Sequence, residues 1–293
     1  MEYLLGFQGI ERLVELRRHG EVVVLLPKIE VFLYPPPRIE VHEVQELVTS
    51  AIDGVVAKGI SSPEELPALA LRHVSESLPE LERARIEMRA EYIVFRRTPV
   101  TKQETQEMYQ ILARATLEGG KITPMIGAEV TGITACPCAH EGLVEKTREK
   151  LKGKFSEEEI QTIFSSVPVA SHNQRNVSTL MLSVVQGERI EVDEIIEILE
   201  NSMSSRLYEV LKREDEVEVV YRAHLNPNFV EDTVRKILVN TLERFSSLPD
   251  DTVVYAKSES LESIHQHNAV AERMTTLGEL RREVNIRRES KSS

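Results

Sequence analysis

Strand-like and helix-like segments follow one another in a similar order in both halves of the chain, and this order constrains the fold most. Residues 84–97 alternate between apolar and polar side chains, which is typical of a strand with one buried face. Residues 41–56 instead place apolar side chains at helical spacing. Because both kinds of segment need a shared apolar layer, we predict an α+β fold of antiparallel sheets backed by paired helices. The similar halves predict two tandem copies of one unit, at residues 1–118 and 119–293.

The same patterns assign the other segments. Strands are predicted at 21–26, 29–33, 84–97, 122–134, 175–185, 217–223 and 252–258. Helices are predicted at 41–56, 62–78, 101–117, 140–152, 156–164, 192–202 and 228–245. The polar tail at 283–293 is expected to fray.

The net charge of -12 argues against general binding to nucleic acid, which needs a basic surface to replace the counterions on phosphates. No run of 18 apolar residues is present, so we expect no membrane-spanning segment. The first 20 residues carry several charged side chains, which a signal peptide lacks. Two cysteines without a signal peptide favour a reducing compartment. We therefore expect a cytoplasmic protein with neither a membrane nor a nucleic acid as partner.

Both cysteines of the chain, Cys136 and Cys138, flank a single proline. Pro137 predicts a turn at the end of a strand, where side chains can project into a cleft. Such a pair can bind a metal, form a disulfide, act as a nucleophile or simply fill space in a core. The pair alone does not separate these roles.

Two further clusters carry groups that bind metals or move protons. Residues 171–176 form an unbroken polar run just before a predicted strand, for which a solvated loop is the simpler interpretation. Glu262 and His265 lie three residues apart, so on a helical turn both would face one way, although exposed helices produce such pairs by chance. Together the clusters supply thiolate, imidazole and carboxylate ligands for Zn²⁺ or Fe²⁺, with room for a water. Because such a metal lowers the pKa of its water to about 7, the set indicates metal-assisted hydrolysis.

Five segments resemble the type IB GTP cyclohydrolase family, and most closely its archaeal iron(II)-dependent branch. They are residues 132–138 (GITACPC), 171–175 (SHNQR), 211–216 (LKREDE), 226–232 (NPNFVED) and 262–265 (ESIH). The 36 positions from Cys136 to His172 contain two predicted helices, as in the archaeal branch. Each segment alone is common, but the ordered combination is specific to this family.

The resemblance implies the tunnelling fold, with two modules per chain, and a homotetramer with active sites between subunits. It implies a reaction that opens the imidazole ring of GTP, in which an activated water attacks C8, formate leaves and the ribose carbons enter a dihydropterin. The archaeal branch is expected to make 7,8-dihydroneopterin 2',3'-cyclic phosphate, in methanopterin and tetrahydrofolate biosynthesis. Fe²⁺ is the expected cofactor, with Zn²⁺ or Mn²⁺ as alternatives.

The resemblance also assigns roles to individual residues. Cys136 and His172 match catalytic and metal-site positions. The other metal-site matches are Glu216, Glu262 and His265.

Substrate contacts follow from the same match. Glu231 corresponds to the carboxylate that anchors guanine, and one carboxylate can accept both the N1–H and the 2-amino group of that base. Arg175, Lys212 and Arg213 are candidate phosphate partners on charge alone, and surface charge explains them equally well.

The first half of the chain departs from the family pattern. It opens with MEYL where the family has an Asp-Val-Gln opening, and residues 35–41 lack the expected His-containing Ser-Arg-Ser segment. Two other functions therefore stay open: an oligomer that binds a purine without catalysis, and a thiol-dependent nitrile reductase of the same fold. The reductase would need NADPH and no metal, and the HNQR and ESIH segments argue against it.

Overall fold

The computed structural model describes residues 3–18, 20–184 and 188–292, with side chains described through residue 286. The strands are β1 (Leu5–Glu11), β2 (Val14–Arg18), β3 (Glu21–Leu25), β4 (Lys28–Leu33), β5 (Arg83–Arg97), β6 (Glu104–Glu118), β7 (Lys121–Ala135), β8 (Asn173–Ser183), β9 (Ser205–Arg206), β10 (Val253–Ser260) and β11 (Ala269–Thr276). The helices are α1 (Val41–Val56), α2 (Glu65–Ser77), α3 (Pro137–Leu151), α4 (Glu157–Ser166), α5 (Val192–Ser202), α6 (Arg213–Leu225), α7 (Val230–Arg244) and α8 (Leu277–Ser292).

A single antiparallel sheet runs through the described part of both halves. Its strand order is β1-β4-β5-β6-β7-β8-β10-β11, with β9 paired beside β7, while β2 and β3 form a separate hairpin. Each half contributes two strands, then two helices that pack on the sheet, then two strands, with α1 and α2 in the first half and α5 and α7 in the second. The predicted α+β class with an antiparallel sheet is confirmed. The division at 118/119 stays a prediction, because the sheet crosses it through the β6–β7 hairpin.

The apolar core lies between one face of this sheet and the helices. It includes Ile86 and Ile126 from the strands and Ile52, Ile196 and Ile237 from the helices. All five side chains are fully buried. These residues belong to one continuous cluster that extends across both halves. Because alternate strand residues point to the same face, the period-two segments of the sequence supply the sheet side of this core.

The helix predicted at 101–117 is wrong, because these residues form most of β6. Tyr109, Ile111, Ala113 and Leu117 alternate with more exposed residues along the strand. β6 pairs with β5 over its whole length, from Arg83↔Glu118 to Arg97↔Glu104. The Glu, Gln, Met and Leu residues of this segment favour a helix locally, but pairing on both sides of the strand outweighs that preference.

The strand predicted at 217–223 is also wrong, because these residues lie within α6. Its buried positions Asp215, Val219 and Ala223 are four residues apart and share one helical face. Val217 and Val220 are exposed, so the β-branched residues that indicated a strand lie on the outer side of the helix.

Smaller differences concern termini. Pro137 does not form a turn but is the first residue of α3, where its missing N–H costs no hydrogen bond. The tail expected to fray forms α8 as far as Ser292. Some residues of these predictions lie outside the described residues. They are Met1 and Glu2 of the opening, Val185 of the predicted strand at 175–185, and Ser293 of the tail. The helices predicted at 41–56 and 192–202 are confirmed with the same bounds.

Candidate functional site

Four of the five motif segments meet at one edge of the sheet. β7 ends at Ala135, which pairs with Asn173 at the start of β8. β10 ends at Ser260, which pairs with Asn176 on the other side of β8. Because these strands are antiparallel neighbours, the residues after β7, before β8 and after β10 all leave the sheet at the same place.

Cys136 lies directly after β7 and is the N-cap of α3. Its backbone N–H donates to the His172 carbonyl oxygen at 3.1 Å, which joins the cysteine and histidine segments. Its Sγ accepts from the backbone N–H of Ala139 at 3.5 Å. Cys138 lies two residues further on, as the second residue of α3, and is exposed, and both sulfurs are free thiols.

His172 is oriented by an amide that also binds a carboxylate. Gln174 Nε2 donates to Glu262 Oε1 at 3.2 Å and to Ser260 Oγ at 2.9 Å. Its Oε1 therefore faces His172 Nδ1, at 3.1 Å. Because an amide oxygen can only accept, Nδ1 carries the proton, and Nε2 is left with a free lone pair. Ser263 Oγ lies 3.1 Å from the same Nδ1.

The backbone of Ala135 is held from two sides. Its N–H donates to Ser204 Oγ at 3.2 Å, and its carbonyl oxygen accepts from the Asn228 N–H at 3.0 Å. Lys236 Nζ donates to the side-chain oxygens of Asn226 and Asn228, at 2.7 and 2.6 Å. Burial lowers the pKa of Lys236, and the nearby Asp232 only partly offsets this. The NPNF segment before α7 is thus fixed beside Cys136.

Glu231 lies in the first turn of α7, three residues after Asn228, and is exposed. Its position beside the fixed segment agrees with a carboxylate that is available to a ligand. Arg175 is exposed on β8, and its carbonyl oxygen accepts from the Leu261 N–H at 2.9 Å. Both residues therefore belong to the same edge of the sheet as Cys136 and His172.

The LKREDE segment lies away from this edge. Lys212, Arg213 and Glu216 are exposed at the start of α6. His224, near the other end of α6, contacts the Ser171 carbonyl oxygen through Nε2 at 3.0 Å. Eight residues of helix separate Glu216 from His224, or about 12 Å. The structure therefore does not bring Glu216 to Cys136 and His172 within one chain.

The helical turn on which Glu262 and His265 would face one way is not formed, because residues 261–268 form an irregular loop. Glu262 is half-buried against Gln174 and Ser260, whereas His265 is exposed and stacks on His267 with ring centroids 5.5 Å apart. Within the described residues, no three His, Cys, Asp or Glu side chains are grouped to hold a metal ion. Cys136, His172 and Glu262 supply suitable donor types at one edge, but they are not a complete ligand set as arranged.

Sequence reasoning missed the residues that support this edge. Ser204 and His224 contact the motif segments from 69 and 53 residues away in the chain, and Lys236 contacts Asn226 from 10 residues away. His224 lies one position beyond the segment at 217–223 that was assigned to a strand, so no pattern marked it. Ser204 lies in a run of small polar residues that carries no pattern of its own.

Comparison with known proteins matches this chain to a family and to a fold. The family model described as type I GTP cyclohydrolase folE2 matches residues 5–271. "GTP cyclohydrolase MptA" of Methanococcus aeolicus is 40% identical over 290 residues, covering 96% of this chain and 94% of the relative. The protein of the same name from Methanosphaera stadtmanae is 38% identical over 288 residues, covering 95% and 92%.

Solved structures similar to this chain include uricases. Uricase from Arthrobacter globiformis superimposes with a TM-score of 0.50 and 8% identity, covering 94% of each chain. A hyper-thermostable AgUricase variant gives a TM-score of 0.54 at 8% identity, covering 94% of this chain and 91% of that one. At this identity the likeness concerns the fold alone. Within the described part of the chain, no helix combines the length and apolar composition needed to cross a bilayer.

Proposed function

The chain belongs to the type I GTP cyclohydrolase family, and from this premise we propose that it opens the imidazole ring of the guanine base of GTP. A first water adds at C8 and one C8–N bond breaks to leave a formamide. A second water hydrolyses the formamide, so that the other C8–N bond breaks and C8 leaves as formate. Closure of the dihydropterin ring then returns one water. The product we propose is 7,8-dihydroneopterin 2',3'-cyclic phosphate, formed with loss of diphosphate, in methanopterin or tetrahydrofolate biosynthesis. One observation carries the proposal: the cysteine, HNQR, NPNF and ESIH segments, distant in sequence, converge at one edge of the sheet.

We propose that Cys136, His172 and Glu262 bind the metal, because they supply thiolate, imidazole and carboxylate donors. Fe²⁺ is the proposed ion, with Zn²⁺ or Mn²⁺ as alternatives. When bound, it would lower the pKa of a water so that hydroxide is available near neutral pH. Glu216 and His265 are the remaining proposed ligands. Because both are exposed, they are available to a site completed by a second copy of the chain.

This arrangement favours a homotetramer with active sites between subunits. Lys212 and Arg213 lie at the same end of α6 as Glu216, so the three would reach a neighbouring copy together. They and Arg175 are our candidate phosphate contacts, through charge-assisted hydrogen bonds. The free thiols of Cys136 and Cys138 support a cytoplasmic location.

The chain's own residues position the base and move protons. Glu231 would accept hydrogen bonds from the N1–H and 2-amino groups of guanine. Gln174 holds the proton of His172 on Nδ1, so Nε2 is available to bind the metal or to accept a proton. The amide therefore fixes which ring nitrogen faces the reaction.

The test is an anaerobic assay of the full-length protein with Fe²⁺, Zn²⁺ or Mn²⁺, in which formate and the pterin product are measured by mass. We expect Cys136→Ala and His265→Ala to lower formate release by more than about 100-fold. Replacing a residue that only supports a metal ligand lowers activity by up to about 100-fold, and replacing the ligand itself should lower it at least as much. Cys138→Ala and His267→Ala are the matched controls, and both should retain most of the activity.

Full activity in both Cys136→Ala and His265→Ala would contradict the proposed metal site. Binding of GTP without formate under every metal would instead favour the purine-binding oligomer. NADPH oxidation by the metal-free protein would favour the reductase.

A further inference from the structure

A cleft of about 410 Å³ lies beside the proposed active site and contains none of the residues assigned above. It separates the β5–β6 hairpin from β9 and α6. Its polar lining includes Lys102 from the hairpin, Ser205 and Arg206 of β9, Tyr208, and Arg222 and Asn226 near the end of α6. We call this space the hairpin cleft.

The hairpin cleft is positively charged in a chain whose net charge is -12. Lys102, Arg206 and Arg222 line it, and Glu200 is its one carboxylate. Glu200 is 3% exposed and is already bound, at Oε1 by the Tyr109 hydroxyl at 2.5 Å and at Oε2 by Arg206 at 3.3 Å. Arg96, which does not line the cleft, also contacts Glu200 Oε2 at 3.3 Å. The carboxylate is thus more than neutralised, and positive charge remains for a ligand.

The cations of the cleft are held in place by the surrounding structure. Arg206 also donates to Asn201 Oδ1 at 2.9 Å. Arg222 uses Nε for Glu218, at 2.5 Å, so among the described residues its two terminal nitrogens are left for the cleft. Lys102 has a backbone φ of +58° in the hairpin, and its Nζ donates to the Pro99 carbonyl oxygen at 2.8 Å. Fixed donors lose less freedom when a ligand binds, which favours affinity.

The hairpin itself is anchored to α6 by a buried carboxylate. Asp215 Oδ1 accepts from the N–H groups of Val100 and Thr101, both at 2.9 Å, and Oδ2 accepts from the Thr101 hydroxyl at 2.5 Å. Both walls of the cleft therefore keep a fixed separation.

The cleft adjoins the site at Ala135. Ser204, which lines the cleft, accepts from the Ala135 N–H, one residue before Cys136. Asn226, which also lines it, begins the segment that leads to Glu231. A molecule whose base is held near Glu231 and Cys136 can therefore place a charged tail in the cleft.

We propose that the hairpin cleft holds the phosphate chain of a nucleoside triphosphate, through Arg206, Arg222 and Lys102. This rests on the proposed function for the identity of the nucleotide. The guanidinium groups match phosphate oxygens with paired, charge-assisted hydrogen bonds. Arg213 lies nine residues before Arg222 on α6, about 14 Å away, so the cleft contacts come from the chain that supplies Glu231 and would add to those proposed for Lys212 and Arg213 of a neighbouring copy.

Calorimetry tests the cleft without turnover, with inorganic tripolyphosphate as the probe and the full-length oligomer as the sample. Wild-type protein should bind the probe, and GTP should displace it. Arg222→Gln and Lys102→Gln should each weaken binding about tenfold, since a hydrogen bond to a charged group contributes at least that factor. Arg206→Gln should do the same, and its thermal midpoint reports whether loss of a Glu200 partner disturbs the fold. Arg72→Gln, an exposed arginine on α2, is the matched control.

Unchanged binding in Arg222→Gln and Lys102→Gln, or binding that GTP does not displace, would overturn the cleft assignment. In kinetics, the same variants should raise the KM for GTP more than they lower kcat. If the wild-type protein releases no formate yet binds the probe in the cleft, the proposed activity is contradicted and the cleft assignment stands. If the protein releases formate but does not bind the probe, the cleft assignment is contradicted and the proposed activity stands.

Discussion

The two halves of the molecule share an order of elements but differ in what their connections contain. In the first half, β1 and β4 are joined through the β2–β3 hairpin, and α1 and α2 through residues 57–64. In the second half, β7 and β8 are joined through α3 and α4, and α5 and α7 through β9 and α6. Most of the proposed metal and substrate residues lie in or beside these longer connections, and Glu262 and His265 lie in the β10–β11 loop. In this proposal the shared frame supplies stability, and the loops and helices that connect it in the second half supply the chemistry.

Burial supports this division. α1 buries Val44, Val48, Ala51, Ile52 and Val55 in the core that the sheet and helices share. α3, which starts at the proposed metal-site cysteine, buries none of its residues. An element without a buried face contributes little to the core, so its sequence is free to serve a ligand.

The largest expected effect is a difference in stability between a variant in the shared frame and a variant in a connection. Ile86→Ala removes a side chain that is 0% exposed in β5 and should lower the free energy of unfolding by about 2–5 kcal/mol. Leu143→Ala, in α3 and 40% exposed, should change it by less than about 0.5 kcal/mol. Urea unfolding measures both. Equal losses would contradict the division between frame and connections.

A smaller effect concerns the buried carboxylate of the second half. Burial raises the pKa of Asp215, but hydrogen bonds from the Thr101 side chain and from the backbone of Thr101, Val100 and Lys212 outweigh it and hold the pKa well below its usual 3.8. The stabilisation is then present above pH 3.8 and is lost as the pH falls further. Asp215→Asn should therefore lower the thermal midpoint at pH 7, and the difference should narrow below pH 3.8.

Glu214→Gln, at an exposed neighbouring position on α6, is the control for that measurement and should shift the midpoint little at any pH. A difference for Asp215→Asn that stays constant down to acid pH would show that the carboxylate charge is not what anchors the hairpin.

The smallest effect has the opposite sign and lies in the first half. Glu64 is 8% exposed, and burial raises its pKa above 4.5, with the Ser62 hydroxyl opposing. The folded state thus holds this proton more tightly than the unfolded state, so stability is greatest below pH 4.5 and falls as the pH rises through the raised pKa. Glu64→Gln should be more stable than wild type at pH 8 and similar near pH 4.5. A lower midpoint at pH 8, measured by calorimetry, would mean that the charged carboxylate stabilises this region.

The frame was predictable where a segment's pattern and its tertiary role agree. The helices at 41–56 and 192–202 each carry an apolar face that packs on the sheet, and both were predicted with their bounds. β6 and α6 were predicted wrongly, for one shared reason. Pairing with β5 decides the conformation of β6, and a polar residue, Asp215, occupies the buried face of α6. Neither fact is local to the segment.

The candidate site was predictable as a set of residues but not as an arrangement. Resemblance selected Cys136, His172 and Glu262, and the structure places their segments together. The assumed helical turn at 262–265 was wrong, because Glu262 is fixed by Gln174 and Ser260 rather than by helical geometry. The proposed ligands Glu216 and His265 would join the site only through contacts beyond one chain, which no spacing in the sequence reports.

The β6–β7 hairpin has a mechanical consequence. It joins the halves through continuous backbone pairing, with Gly119 and Gly120 at the turn in left-handed conformations of φ +54° and +79°. Two units that share a sheet have no hinge between them, so they cannot close on a ligand as separate lobes. Movement around a bound molecule is left to segments outside the sheet, chiefly α3, α4 and the 261–268 loop. The enzyme can therefore change shape at its rim while its centre stays rigid.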